Sequence, residues 1–367
     1  MNYPRIACYS GNRSSGLPFI KADGTLDEPL LRALARHDII TMDIAPWLSL
    51  RMPNKLDAIQ VMRRANPECR ILAYHLITHW YWPPTHIASM GNPSFQSDWH
   101  ETIRATAGWE TGTIVPGYEV DWAKRATADA LTELLCRVAR ARVFDGMFLD
   151  YLSPVNDVAA EWNMRRAVER IRATGGPGFI VLGNGINAER LGLDGVFREG
   201  FAADERLNPL TDFNDARAAF DNNLPWNWLL SNWYYPPNNI AAAVERRFAL
   251  GTGCLFGAVV SFGPGRDTSF WPPYQGWWAD EYSVGPDGRP DATGAHTGWL
   301  GEPWEPAENI GLGLWVRRFA GGVVVVNTAT VERTFTGLPR GLYRIGGEEM
   351  GSITVSARSA EFLWRQR

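Results

Sequence analysis

The chain has 367 residues, of which 45% are hydrophobic and 21% charged, a composition typical of a globular protein rather than a disordered or fibrous one. Its formal net charge of −4 gives no basic surplus to neutralise a phosphate backbone, so nucleic acid is not an expected partner. No apolar stretch approaches the roughly 20 residues that cross a bilayer, and no membrane association is expected.

The N-terminal residues and the cysteines bear on the compartment. The first ten residues lack the basic start and apolar run of a signal peptide, so we expect a cytoplasmic protein, or a secreted one if a signal peptide preceded this sequence. Cys8, Cys69, Cys136 and Cys254 show no CxxC spacing, and buried free thiols are favoured over a disulfide framework. Free thiols fit a reducing compartment.

Short apolar runs alternate with helical patterns along most of the chain, as in βα units. Eight predicted strands begin near Arg5, Ile39, Arg70, Phe144, Gly178, Leu193, Asn227 and Thr252, and helical patterns cover residues 27–37, 55–67, 123–142, 158–175 and 238–251. Continuous apolar runs are typical of parallel strands buried on both faces. The pattern predicts an α/β protein with a (β/α)8 TIM barrel. A doubly wound open sheet also fits the alternation, but no GxGxxG or P-loop motif follows any run.

The last part of the chain has a different character. Residues 263–309 are rich in Trp, Pro, Gly and Asp, and from Ile310 onward short β-branched runs are separated by turns without a helical pattern. Such runs predict a small antiparallel β-sandwich. We therefore predict a barrel domain over residues 1–308 and a C-terminal β-sandwich domain over residues 309–367.

Aromatic residues are concentrated in two long loops. The chain contains 17 Trp, 11 Tyr and 16 Phe, and residues 78–122 form a Trp-rich excursion after the third strand. Long βα loops usually carry function, and sugars bind by stacking on aromatic rings, so a carbohydrate is the expected partner. The alternative for any single Trp is that its ring plugs a loop of the barrel.

Two carboxylates occupy equivalent places in two predicted strands. The fourth run ends in Asp150 and the sixth in Glu199, and both follow the frame D-G-x-F-x-[Asp/Glu] that opens with Asp145 and Asp194. The opening Asp residues are expected to support stability at the bottom of the barrel, whereas catalytic residues of this fold lie at the C-terminal strand ends. A strand-end carboxylate is costly to bury unless it is paired or used, although it can also simply cap the following loop.

The spacing of the two strands is compatible with a shared reaction. Adjacent strands lie about 4.8 Å apart, so strands four and six are separated by roughly 10 Å before their side chains lean inward. Carboxyl groups about 5–5.5 Å apart serve a retaining glycosidase and about 6.5–9.5 Å an inverting one. Both outcomes stay open, and the pair predicts a glycoside hydrolase that acts on an oligo- or polysaccharide.

Polar and aromatic side chains at the other strand ends are candidates for substrate contacts. Asp43 is the strongest candidate, because one carboxylate can bind two sugar hydroxyls. His75 is equally well explained as a satisfied barrel histidine, and Glu119 and Asp121 as caps of the following helix. The full set of predicted substrate-binding residues is Tyr9, Asp43, Trp47, Tyr74, His75, Glu119, Asp121, Asn184, Asn232, Trp233 and Tyr234.

The fourth-strand sequence FDGMFLDYL, the carboxylate of strand six, the Trp-rich loops and the terminal sandwich resemble glycoside-hydrolase barrels related to the polygalactosaminidase-like and alpha-galactosidase-like groups. The resemblance covers most of the chain. In alpha-galactosidase-like barrels the carboxylate of strand four is the nucleophile and that of strand six the acid/base. The resemblance therefore implies Asp150 as the nucleophile and Glu199 as the proton donor, although that group carries Asp where this chain has Glu199. A proton donor needs a raised pKa, which an apolar setting or a nearby negative charge provides; the aromatic loops and Asp150 are expected to supply these.

Two other functions compete with this prediction. A non-catalytic carbohydrate-binding barrel would keep the aromatic cleft without using the carboxylates. A metal-dependent hydrolase would need clustered ligands, for which Asp43, His75, Asp150 and Glu199 are the candidates. The chain has only six His and no HxH or HExxH motif, so no metal and no cofactor are expected. The sequence gives no prediction of oligomeric state.

Overall fold

The protein is described by a computed structural model that covers residues 1–9, 21, 25–43, 54–77, 79–80, 118–119, 121–150, 157–184, 188–201, 209–220, 224–232, 240–263 and 279–366. Eight parallel strands close into a barrel in which they follow one another in chain order. They are β1 (Ile6–Tyr9), β2 (Ile39–Asp43), β3 (Arg70–Leu76), β4 (Gly146–Asp150), β5 (Ile180–Asn184), β6 (Gly195–Phe201), β7 (Trp228–Asn232) and β8 (Val259–Gly263). The predicted barrel is confirmed.

Helices separate these strands along the chain. They are α1 (Glu28–Leu34), α2 (Asn54–Ala65), α3 (Arg125–Arg140), α4 (Val158–Gly175), α5 (Ala188–Leu191), α6 (Pro209–Phe220) and α7 (Ile240–Phe256), and α5 and α6 had no predicted counterpart. None of the helices in the described ranges is long and apolar enough to cross a membrane. After β3, His79–Trp80 pairs antiparallel with Tyr118–Glu119 in a short ribbon.

The predicted start of the eighth strand is wrong. Residues from Thr252 to Phe256 continue helix α7, and β8 begins only at Val259. The helical pattern predicts a helix end at Gly251, but the helix continues through this residue. Within the helix, the Thr252 hydroxyl donates to the Phe248 carbonyl one turn earlier, at 2.8 Å. The chain leaves the helix at Gly257, whose φ of 77° is a conformation that glycine adopts without strain.

Three aspartates join neighbouring strands at their N-terminal ends. Asp38, Asp145 and Asp194 directly precede β2, β4 and β6. Each carboxylate accepts the backbone N–H of a residue in the preceding barrel strand: Ile6 at 2.8 Å, Ile71 at 2.9 Å and Val181 at 2.8 Å, respectively. Asp145 and Asp194 thus lie where the shared sequence frame predicts stabilising residues.

The chain divides into two compact units, one of residues 10–35 and 39–197, and the other of residues 1–9, 36–38 and 198–367. The boundary predicted between residues 308 and 309 stays a prediction. All four cysteines are buried and free, and burial raises the pKa of the Cys8 and Cys254 thiols.

The C-terminal strands form two antiparallel sheets, as predicted for a sandwich. They are β9 (Glu308–Gly311), β10 (Leu314–Phe319), β11 (Gly322–Asn327), β12 (Arg333–Thr336), β13 (Leu342–Arg344), β14 (Ser352–Val355) and β15 (Ser359–Arg365). The larger sheet has the order β9-β10-β11-β15-β13, and β12 pairs with β14. Their apolar core includes Val316, Val325, Ile353 and Leu363.

The other face of the larger sheet packs against helix α7. Val324, Val326 and Phe362 share a buried cluster with residues of that helix. Arg317 of β10 donates to the carbonyls of Cys254 and Leu255, each at 2.8 Å. These carbonyls belong to the last turn of α7, where a cation also complements the helix dipole. The sheet is therefore part of the unit that contains α7.

Candidate active site

Asp150 is held by side chains of both neighbouring strands. It is the last residue of β4, and its side chain is only 5% exposed. Asn184 of β5 donates from Nδ2 to Oδ1 of Asp150 at 2.9 Å, and the hydroxyl of Tyr74 in β3 donates to Oδ2. Each carboxylate oxygen has a donor, so burial of this carboxylate is compensated.

The strand register explains why these three side chains meet. Leu76 is paired with Asp150, Leu149 with Gly183 and Asn184 with Phe197. Paired residues of adjacent strands point to the same side of the sheet, and every second residue along a strand does too. Tyr74, Asp150 and Asn184 therefore share one face.

This shared face is the interior of the barrel. The Phe148 ring lies parallel to the Tyr74 ring at a centroid distance of 5.7 Å, and the Phe197 ring meets Phe148 edge-on at 4.9 Å. Phe148 and Phe197 belong to β4 and β6, which are separated by β5, so their rings meet across an intervening strand. Such contact is natural on the concave side of a closed sheet. The two rings form an apolar floor on the face that carries Asp150.

The two phenylalanines were missed as site residues, although the sequence contained the signal. In the frame D-G-x-F-x-[Asp/Glu] the Phe and the final carboxylate are two residues apart. In a regular strand that spacing places both on one face. The frame in β4 thus encodes an interior ring followed by an interior carboxylate.

Glu199 is placed differently from Asp150. It is the fifth of the seven residues of β6, which continues to Phe201, so it does not end its strand. Its side chain is exposed, and this departs from the apolar setting expected for a proton donor. The two carboxylates therefore stand in different local environments.

Side-chain alternation breaks in β6 around Glu199. Arg198 forms an ion pair with Asp215 of α6 at 2.8 Å, and the Phe201 ring stacks on Phe248 of α7 at 5.4 Å. Both side chains thus face helices, although residues three apart in a regular strand point to opposite sides. The two-residue alternation is therefore not kept between Arg198 and Phe201.

His75 lies on the strand face opposite to Tyr74. It is paired with Leu149, and it is 9% exposed. Burial lowers the pKa of His75 to about 4, so the imidazole is neutral at pH 7. His75 is thus a buried histidine on the face of β3 opposite to Tyr74 and Asp150.

Asp121 lies in the turn that leads into helix α3. Its carboxylate accepts the backbone N–H of Ala123 at 3.1 Å and forms an ion pair with Lys124 at 3.4 Å. Asp121 does not cap the helix, because the N-cap of α3 is Lys124 and no side chain caps it; Asp121 instead holds the turn before the helix.

The remaining predicted residues are less fully described. Tyr9, Asp43, Asn232 and Glu119 lie in strands, but their side chains are outside the described part of the structure. Trp47, Trp233 and Tyr234 lie outside the described residues altogether. Within the described ranges, no group of three or more His, Cys, Asp and Glu side chains is arranged to hold a metal ion.

Comparisons with known proteins bear on the fold. No protein-family model and no curated protein matches the sequence. Among solved structures, the chain is similar to a maltogenic alpha-amylase from Thermotoga neapolitana (TM-score 0.57, 8% identity, covering 98% of each chain). It is also similar to a GH27 β-L-arabinopyranosidase from Geobacillus stearothermophilus (TM-score 0.54, 10% identity, covering 99% of this chain and 96% of the other).

A third similar structure is an alpha-amylase from Geobacillus thermoleovorans in complex with acarbose (TM-score 0.52, 12% identity, covering 98% of this chain and 97% of the other). What the chain shares with all three is the fold. Coverage is nearly complete on both sides, so the likeness extends over nearly the whole chain.

Proposed function

We propose that this protein is a glycoside hydrolase that cleaves O-glycosidic bonds of an oligo- or polysaccharide, with Asp150 and Glu199 as its working carboxylates. The observation that carries the proposal is the interior carboxylate of Asp150 at the end of a barrel strand, held by Tyr74 and Asn184. Catalytic groups of this fold lie at such strand ends. The similar structures whose names are those of glycoside hydrolases support the same class.

The setting of Asp150 suits a nucleophile or a general base. The Tyr74 hydroxyl and the Asn184 amide both donate to this carboxylate and hold it in a fixed orientation. In a retaining reaction, an Asp150 oxygen attacks the anomeric carbon as the bond to the leaving oxygen breaks, and water later hydrolyses the glycosyl ester. In an inverting reaction, Asp150 instead takes a proton from the attacking water.

Glu199 is the proposed acid. It gives its proton to the leaving glycosidic oxygen and, in a retaining reaction, then takes one from the incoming water. Its exposure before substrate arrives is compatible with this role if a sugar bound over β6 covers the carboxyl group and excludes water from it.

The first test is a screen of chromogenic glycosides and polysaccharides with the wild type, followed by Asp150→Asn, Glu199→Gln and the double variant. We expect kcat to fall by about 10²–10⁴-fold for loss of the acid, and the double variant to be little worse than the poorer single one. Glu169→Gln, which removes an exposed carboxylate of α4 paired with Arg165, is the control. Equal cleavage by the double variant contradicts the mechanism.

Two further measurements assign the roles. Loss of an acid harms poor leaving groups most, so Glu199→Gln is expected to slow alkyl glycosides far more than nitrophenyl glycosides. In a retaining enzyme, azide restores turnover to Asp150→Gly and yields a glycosyl azide. A wild type that binds a glycan tightly but cleaves none of the panel instead indicates a non-catalytic carbohydrate-binding barrel.

A further inference from the structure

A buried tryptophan joins the end of the long aromatic excursion to the end of β3. Trp122 is 3% exposed, and its Nε1–H donates to the carbonyl of Ile77 at 2.8 Å. Ile77 directly follows β3 and is itself buried, and its N–H donates to the main-chain carbonyl of Asp150 at 3.2 Å. The indole is therefore two hydrogen bonds away from the backbone of the candidate nucleophile.

Helix α4 anchors this tryptophan in turn. Asn163 is 6% exposed, and its Nδ2 donates to the main-chain carbonyl of Trp122 at 2.8 Å. Helices α3 and α4 pack against each other, so Asn163 lies on a helix supported from the side. The hydrogen bonds run from α4 through Trp122 and Ile77 to Asp150.

Asp150 lies at the point where the pairing of β3 and β4 ends, so the contacts of Ile77 bear on its position. Asp150 ends its strand, and its pairing with Leu76 is the last one between β3 and β4. Beyond that pair, the hydrogen bond from the Ile77 N–H to the Asp150 carbonyl continues the contact between the two strands. The Trp122 indole binds the carbonyl of the same residue, Ile77. A displacement of about 1 Å in a reacting group costs on the order of 10²-fold in rate.

We infer that Trp122 and Asn163 are positioning residues that fix the backbone of Asp150 by way of Ile77. The expected effect on kcat rests on the proposed function, whereas the expected effect on the Ile77 backbone does not. The same contacts tie Trp122, the last residue of the aromatic excursion, to the end of β3.

The test compares two indole deletions. Trp122→Phe keeps a ring and removes the N–H. The matched control is Trp228→Phe, since Trp228 is fully buried in β7 and its Nε1–H donates to the Ser261 hydroxyl at 2.7 Å. We expect Trp122→Phe and Trp228→Phe to lower the melting temperature by similar amounts relative to the wild type. Only Trp122→Phe should lower kcat, by about 10- to 100-fold, with KM changed by less than about twofold.

A second readout does not depend on activity. Hydrogen exchange at the Ile77 amide, followed by NMR, should speed up at least tenfold in Trp122→Phe and stay unchanged in Trp228→Phe. Asn163→Ala should have the same effects in the same direction, and it replaces Trp122→Phe in the test if that variant does not fold.

The outcomes separate this inference from the proposed function. If the wild type cleaves no glycan, the proposed function fails, and the exchange rate of Ile77 alone decides whether Trp122 fixes this backbone. Unchanged exchange at Ile77 overturns the inference, as does a fall in kcat that is equal in Trp122→Phe and Trp228→Phe.

Discussion

The side-chain amide of Asn184 donates to Oδ1 of Asp150 at 2.9 Å, from the last residue of one strand to the last residue of the strand beside it. Together with the Tyr74 hydroxyl on Oδ2, this contact fixes the orientation of the carboxylate plane. Asn184 and Tyr74, predicted from sequence as substrate contacts, thus bind the candidate nucleophile directly.

Removal of either donor is therefore expected to reduce activity. A hydrogen bond to a charged group contributes about 1.5–3 kcal/mol, so Tyr74→Phe and Asn184→Ala should each lower kcat/KM by roughly 10- to 100-fold. The rates are measured on the best substrate of the glycoside screen. Tyr343→Phe removes a hydroxyl from the C-terminal sandwich and should leave kcat/KM unchanged. Rates of both site variants within twofold of wild type would show that these bonds do not support catalysis.

His75 should affect stability and not the reaction. Burial lowers its pKa to about 4 from 6.5, so the folded state resists protonation, and the stability held above pH 6.5 is lost as the pH falls towards 4. Urea unfolding of wild type and His75→Gln should show a smaller loss in the variant over this range. The kcat of His75→Gln should stay within about threefold of wild type, because the side chain faces away from Asp150. A far larger loss of kcat would indicate a role in the site.

The parts of the site that follow from strand periodicity were accessible from the sequence. Apolar runs located all eight barrel strands, although the eighth was predicted to begin too early. The frame that ends in Asp150 also predicted a stabilising role for Asp145 at the opposite end of β4, where its carboxylate accepts the Ile71 N–H. Both depend on the two-residue repeat of a strand and on the rule that C-terminal strand ends carry the site.

The remaining features depend on packing between distant segments. Helix α7 continues through Gly251, where the C-terminal sheet packs closely against it, and the sequence near residue 251 gives no sign of that partner. The break of alternation near Glu199 similarly arises where Phe201 stacks on Phe248. A regular strand pattern predicts neither.

Asp194 should stabilise the barrel without contributing to the reaction. Its Oδ2 accepts the Val181 N–H at 2.8 Å and pairs with Arg172 at 3.0 Å, at the end of the strands opposite to Asp150. Asp194→Ala leaves a backbone donor without its acceptor, which costs about 1–3 kcal/mol. Urea unfolding should report this loss, whereas Asp129→Ala, which removes exposed ion pairs with Arg125 and Arg170, should cost no more than about 1 kcal/mol. Reduced kcat in folded Asp194→Ala would contradict a purely stabilising role.

The contact between helix α7 and the C-terminal sheet requires glycine at position 251. A Cβ there would lie 2.4 Å from the Cβ of Ala360 and 2.9 Å from Cγ2 of Val326, closer than packed carbons approach. Gly251→Ala should therefore destabilise the protein, since overpacking costs about 1–3 kcal/mol and outweighs the roughly 1 kcal/mol by which Ala favours a helix. Thermal unfolding measures the balance.

Two variants make this last prediction specific. Ala360→Gly removes the nearer carbon, so the double variant Gly251→Ala/Ala360→Gly should regain much of the lost melting temperature, with the contact to Val326 limiting full recovery. Gly351→Ala adds a Cβ with no atom within 4 Å and should leave the melting temperature nearly unchanged. A stabilised Gly251→Ala would mean that the sheet withdraws from the helix at little cost, and that the close approach at residue 251 does not hold the two together.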